Sequence, residues 1–262
     1  MNQNLLSMAG RVALVTGAGQ GVGRAAALHF AAHDAHAVVV NDFYPDRAEK
    51  TAEEVRGQGV EALPLAFDVS DYRQVADAFA RVQQEYGELH TLVNNAGNAG
   101  PSGHAGFSDF WSEEPKDWER WLGTNLYGVL NCVRHGVPLM REHGRGRVVT
   151  VISDAGRQGE PGLEVYSAAK AGAAGFTRAI ARSNGRFGIT ANAVSIGATR
   201  TPFVADMLDN EEAAKAQLKR YIIRRFGEPE DIANMILFLG SDAGSWVTGQ
   251  TIPVNGGYSV AL

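Results

Sequence analysis

Short apolar runs alternate along this chain with longer segments whose apolar residues return every third or fourth position. A short run rich in Val, Ile and Ala, closed by Gly, Asp or Asn, reads as a strand buried on both faces. The longer periodicity reads as a helix with one apolar face. Strands are predicted at Arg11–Thr16, Ala37–Asn41, Glu61–Phe67, Leu89–Asn94, Arg147–Ile152 and Ile189–Ser195, and Thr248–Gly257 reads as a final strand and turn. Helices are predicted from the first strand to about His33, and over about Asp46–Gly57, Asp71–Tyr86 and Pro229–Leu239. One more follows Pro161-Gly162 and runs through about Arg182. The alternation predicts an α/β fold, a doubly wound parallel sheet. No repeat or low-complexity linker interrupts it. Residues 1–262 therefore read as a single domain, with 1–10 as a lead-in.

Two segments depart from this rhythm. Residues 98–114 open on Gly and Pro and close on Phe107, Phe110 and Trp111. They follow the C-terminal end of a strand, the side on which open α/β sheets bind ligands. A loop this long is either functional or mobile. Its aromatics line an apolar pocket, pack the loop down or meet another subunit, and His104 reads as a solvated residue. Residues from about 200 to 225 mix charges with Met207, Leu208, Leu218, Tyr221, Ile222 and Ile223, as a small helical lid or a plain surface helix would.

Between these segments one helix carries the stripe Trp118, Trp121, Leu122, Asn125, Leu126, Val129, Leu130, Val133. A polar Asn125 on a buried face is costly unless satisfied. It either holds neighbouring backbone or serves a site beside it. Cys132, on the same helix, reads as a small core residue.

Composition narrows the function. The net charge of -5 gives no basic surface for nucleic acid. A single cysteine excludes an internal disulfide and fits a reducing compartment. No apolar run is long enough to span a membrane, and Met1–Gly10 lacks the features of a signal peptide, so a cytoplasmic location is expected. No cluster with metal-ligand spacing is visible.

The first strand runs into Gly17-x-x-x-Gly21-x-Gly23 and a helix, the context a dinucleotide fingerprint requires. Glycines admit a pyrophosphate to the backbone, and the helix N-terminus offers free N–H groups. Asp42 closes the next strand 19 residues after Gly23, near the ~20 expected of an acid that holds ribose hydroxyls. No cation follows until Arg47. NAD(H) is therefore expected over NADP(H), although Asp42 would also serve as a turn cap. Tyr166 and Lys170 share a helix face. Ser153 closes a strand, so the three suit proton transfer at a carbinol or carbonyl oxygen. A nearby ammonium lowers a phenol from its usual ~10, and that is expected of Lys170 on Tyr166.

With these motifs in order, the sequence resembles the short-chain dehydrogenase/reductase family along essentially its whole length. The resemblance rests on Thr16-Gly17-x-x-x-Gly21-x-Gly23, Asp42, Asp68-Val69, Asn94-Asn95-Ala96-Gly97, Asn125, Ser153 and Tyr166-x-x-x-Lys170. It implies a Rossmann-like domain that binds a nicotinamide cofactor without a metal and moves a hydride between a secondary alcohol and its ketone. It implies Tyr166 as general acid/base, Ser153 as the group that orients the substrate oxygen, Lys170 on the nicotinamide ribose and Asn125 in a proton relay. It places the cofactor on Gly17, Gln20, Gly21, Val22, Gly23, Asp42, Asp68, Val69, Asn95, Ala96, Gly97, Gly197, Thr199 and Thr201, besides Tyr166 and Lys170.

The same resemblance implies a homotetramer or homodimer. An NADP(H)-using oxoacyl reductase and a non-catalytic nicotinamide-binding sensor are the alternatives. A bulky apolar, cyclic or hydroxyacyl-thioester alcohol is the expected substrate, with Arg157 and Arg200 as candidate cations for an anionic group. Three positions depart from the family pattern: Ile152 precedes Ser153, Ile196 precedes Gly197, and Asn255 precedes Gly256-Gly257.

Overall fold

A computed structural model describes residues 4–97, 109–202 and 211–260. The readings at His104, Phe107, Met207 and Leu208 lie outside these residues. Strands are β1 (Val12–Val15), β2 (Ala37–Asp42), β3 (Glu61–Ala66), β4 (Thr91–Asn94), β5 (Gly146–Ser153), β6 (Ile189–Ile196) and β7 (Thr251–Val254). They pair in parallel in the order β3-β2-β1-β4-β5-β6-β7. The order reverses between β1 and β4, which opens a crevice at their C-terminal ends. This is the doubly wound parallel sheet expected from the alternation of elements, and it is Rossmann-like, as the family resemblance implied.

Both faces of the sheet are covered. One core cluster places Ala13, Val15, Val38 and Val40 against α1 (Gly21–Ala32), α2 (Pro45–Arg56) and a late helix, Pro229–Gly240. The other places Leu14, Val39, Leu92 and Ile152 against α3 (Tyr72–Tyr86), α5 (Gly128–Glu142) and α7 (Glu164–Asn184). Alternate residues of one strand point to opposite faces. β1, fully buried, therefore reads as an unbroken apolar run. The short helix α6 (Ala155–Gln158) precedes α7, while α8 (Glu211–Leu218) and α9 (Pro229–Gly240) follow β6.

The continuous helix expected over Trp118–Val133 is interrupted. α4 (Pro115–Leu122) leads into a π-helical turn, Gly123–Tyr127, and then into α5. Gly123 opens the turn and Gly128 follows it, and glycine weakens regular helix at both joints. Asn125 sits in the wide turn, fully buried, and donates its Nδ2 to the Trp121 carbonyl at 2.9 Å. The side-chain amide takes a carbonyl that regular i→i−4 pairing would otherwise occupy. Insertions of this kind gather at functional sites.

Candidate active site

The crevice at the sheet's C-terminal edge is a cleft of about 440 Å³. Its walls include Gly17, Gln20, Gly21, Val22, Asp42, Asp68, Val69, Asn95, Ala96, Gly97, Tyr166, Lys170 and Thr201. Residues scattered over the sequence thus meet on one surface.

The glycine turn is held from three sides. Thr16 Oγ1 accepts from the backbone N–H of Asn95 and of Ala96, both at 3.0 Å. Asn95 Nδ2 donates to the carbonyls of Thr16 (2.9 Å) and Gly17 (3.0 Å). Buried Asn41, which the sequence reading passed over, accepts from Gly17 N–H at 3.3 Å and donates to the Leu65 and Phe67 carbonyls. Its signal was a polar residue at the end of a run of valines. Gly23 lies behind the turn rather than on the cleft wall. A Cβ there would stand 2.3 Å from the Gly17 carbonyl oxygen, so only glycine lets the helix pack this close.

A dinucleotide fits these residues. Helix α1 begins at the turn with no side-chain cap at Gln20 and no acid in its first turn. Its N–H groups and dipole therefore face the cleft, as an anion-binding terminus requires. Asp42 lies at the far wall, 6% exposed. Its Oδ2 accepts from Gly19 N–H and its Oδ1 from Tyr44 N–H, both at 3.0 Å. It thus caps its turn and also faces the cleft. Arg47 lines the same wall, with its guanidinium 4.5 Å from the centre of the Tyr44 ring. Spacing alone had set this cation aside, but one turn of α2 brings it beside Asp42.

At the other end of the cleft, Ser153 ends β5 and Tyr166 enters from α7. The Ser153 hydroxyl faces the Tyr166 phenol and favours its ionised form. Ser153 Oγ also accepts from Ala155 N–H at 3.2 Å, which fixes its direction. The Trp121 ring meets the Tyr166 ring edge-on, with centroids 5.5 Å apart. Buried Lys170 donates to the Val151 carbonyl at 3.1 Å, and burial lowers its ammonium to about 8. A Cβ on Gly97 would sit 3.1 Å from Lys170 Nζ and 3.2 Å from Asn125 Oδ1. The amine and the amide oxygen therefore converge at Gly97.

One electrostatic expectation is reversed. Burial raises the Tyr166 phenol above its ordinary value, against a lowering by the Ser153 hydrogen bond. Lys170 gives its hydrogen bond to a β5 carbonyl instead.

The chain after β6 forms the far side of the cleft. Thr201 lines it, but Gly197 and Thr199 do not. Thr199 is buried and its Oγ1 donates to the Gly197 carbonyl at 3.1 Å. Ala198 N–H donates to Tyr221 Oη at 2.7 Å, so Tyr221 braces the turn after Ile196. The two candidate substrate cations are paired elsewhere. Arg157 donates to Asp154 at 3.0 Å, and Arg200 meets Glu228 at 3.0 Å. No cluster of His, Cys, Asp and Glu fit for a metal occurs among the described residues.

Comparison with known proteins agrees with this geometry. A family model described as enoyl-(acyl carrier protein) reductase matches residues 17–259. A 3-oxoacyl-(acyl-carrier-protein) reductase of Staphylococcus aureus is 36% identical over 247 residues, 94% of this chain and 96% of the relative. The crystal structure of a putative gluconate dehydrogenase from Agrobacterium tumefaciens superposes with a TM-score of 0.92 at 32% identity, covering 99% of this chain and 100% of that one. A gluconate 5-dehydrogenase from Burkholderia cenocepacia, solved with NADP and tartrate, superposes with a TM-score of 0.91 at 29% identity, covering 99% of each chain.

Proposed function

Because the chain belongs to the short-chain dehydrogenase/reductase family, and is an oxidoreductase acting on CH–OH groups, we propose that it interconverts a secondary alcohol and its ketone with NAD(H). The observation that carries this reading is the meeting of Ser153, Tyr166 and Lys170 at the end of a cleft that begins at the glycine turn. When bound, the nicotinamide supplies hydride-transfer chemistry. Tyr166 Oη gives a proton to the substrate oxygen in reduction and takes it in oxidation. Ser153 Oγ holds that oxygen by donating a hydrogen bond. Lys170 sits where it can hold ribose hydroxyls, and Asn125 closes the polar floor beneath it.

Asp42 supports NAD(H), since a 2′-phosphate would meet its carboxylate. The alternative, an NADP(H)-using oxoacyl reductase, is favoured by Arg47 on the same wall and by the NADP-bound gluconate 5-dehydrogenase. The pairing of Arg157 and Arg200 leaves a neutral alcohol, bulky or cyclic, as the better substrate for this pocket. A cytoplasmic homodimer or homotetramer completes the reading. Trp246, 98% exposed, and Ile222 are the kind of side chains a subunit contact would cover, and light scattering after size exclusion tests this.

The deciding experiment follows the reduced-nicotinamide absorbance with NAD+ or NADP+ over linear hydroxyacyl thioesters, cyclic alcohols, steroids and sugar alcohols. Turnover with NAD+ on one class supports the reading. Tight NADH binding without any turnover moves weight to a nicotinamide-binding sensor.

A further inference from the structure

Directly after Ser153 the chain buries a carboxylate that the chemistry above does not use. Asp154 is 2% exposed. Its Oδ1 accepts from Ser195 Oγ at 2.6 Å and from Arg157 Nη1 at 3.0 Å. Its Oδ2 accepts from Asn255 Nδ2 at 2.5 Å and from Ser259 Oγ at 3.1 Å. Its own N–H donates to the Ile196 carbonyl at 3.1 Å. The four side-chain donors come from α6, from β6 and from the turn after β7. A buried carboxylate persists only where donors surround it, and here they tie three parts of the chain to one residue.

The same residue stands at the N-cap position of α6, yet its side chain makes no cap there. Ser153 Oγ takes the Ala155 N–H instead. The turn that aims the serine hydroxyl at Tyr166 is therefore anchored through the residue at its centre.

We propose that Asp154 is a positioning residue. It fixes the Ser153–Ala155 turn so that the serine hydroxyl meets Tyr166, and it makes the Asn255–Ser259 turn part of the scaffold of the active site. The proposal rests on the reading of Ser153 and Tyr166 given above. It also accounts for Asn255, where the family pattern has aspartate. An aspartate here would set carboxylate against carboxylate at hydrogen-bond distance. The asparagine donates to Asp154 and accepts from Gly257 N–H at 2.9 Å.

The test combines Asp154→Asn and Ser195→Ala with Ser153→Ala, assayed with NAD+ and the best alcohol of the panel. Misplacing a reacting group by about 1 Å costs on the order of 100-fold. Asp154→Asn is expected to lower kcat about 10- to 100-fold and to leave the KM for NAD+ within about twofold. Ser195→Ala should show the same split more weakly. In the Ser153→Ala background both should add less than about twofold, because the group they act through is gone. Full multiplicative losses in that background would overturn the proposal, as would an unchanged kcat in Asp154→Asn.

A crystal structure of Asp154→Asn gives a readout independent of turnover. Ser153 Oγ should move off the Tyr166 hydroxyl while the sheet keeps its register, and an unmoved serine overturns the claim. If the unmodified protein is silent toward every alcohol, the dehydrogenase reading fails, and the crystal comparison still decides the role of Asp154.

Discussion

Lys170 Nζ lies 5.8 Å from the centre of the Tyr166 ring and spends a hydrogen bond on the Val151 carbonyl. The ammonium is thus a neighbour of the phenol rather than its direct partner. The side chain that favours the ionised phenol of Tyr166 is Ser153. Tyr166→Phe removes the oxygen proposed to transfer the proton and keeps the ring against Trp121. It should reduce kcat by about 100- to 10,000-fold and leave the dissociation constant for NADH within about twofold. Stopped-flow turnover and fluorescence titration check the two halves, and retained turnover would remove the tyrosine from its assigned role.

The buried lysine carries a stability cost of definite sign. Burial lowers its ammonium from 10.5 to about 8. Below pH 8 the folded and unfolded chains both hold the proton, and the folded chain bears the full penalty of a charge kept from water. Between about 8 and 10.5 the unfolded chain binds more protons, so stability rises with pH across that window. Lys170→Met should therefore be more stable at pH 7, by roughly 1–3 kcal/mol, and inactive. The advantage should shrink as pH approaches 10.5. Urea denaturation at pH 7 and pH 10 measures it, and a variant less stable at pH 7 would contradict the assignment.

Asp42 and Arg47 line one wall of the cleft with opposite charges, so under the proposed reading they make opposite demands on the adenosine ribose. Asp42→Ala should weaken NADH by about tenfold, or about 1.4 kcal/mol, and improve NADPH. Arg47→Ala placed on that variant should take the NADPH gain away. Calorimetric titration with both cofactors reads this directly. An Asp42→Ala protein that binds NADH better and NADPH unchanged would refute the selector.

A second titrating group lies at the opposite edge of the sheet. His90 is buried, and its Nδ1 accepts from Val12 N–H at 3.1 Å. Burial lowers the imidazole to about 4, against the upward pull of the Glu88 carboxylate. The unfolded chain takes up this proton near ~6.5. Stability present above pH 6.5 is therefore lost as pH falls toward 4. His90→Gln should flatten the fall in thermal midpoint between pH 6.5 and 4, and an unaltered slope would acquit the histidine.

The sheet was legible because strands buried on both faces must be apolar throughout, and a run such as Ala37-Val38-Val39-Val40 meets that demand at every position. The glycine turn, Asp42, Ser153 and Tyr166 were legible because their chemistry depends on chain position at a strand end or a helix start. The roles of Arg47, Asn41 and Asp154 were not, since each depends on what another element brings within reach. The direction of the Thr199 hydroxyl was hidden for the same reason, since it turns inward to the Gly197 carbonyl. The π turn was hidden because one stripe of apolar residues runs through it, and periodicity over so few residues does not register a single extra position.

That extra position has a consequence for chain length. A helix advances about 100° per residue, so a one-residue deletion within Gly123–Tyr127 would leave an ordinary helix and a rotated one. Every side chain before the cut would swing by about that angle relative to α5, carrying Trp121 off Tyr166. The ring that meets Tyr166 is thus placed by a count of residues as much as by their kind. A sequence that kept Trp121 but lost one residue here would keep the pair in composition and lose it in space.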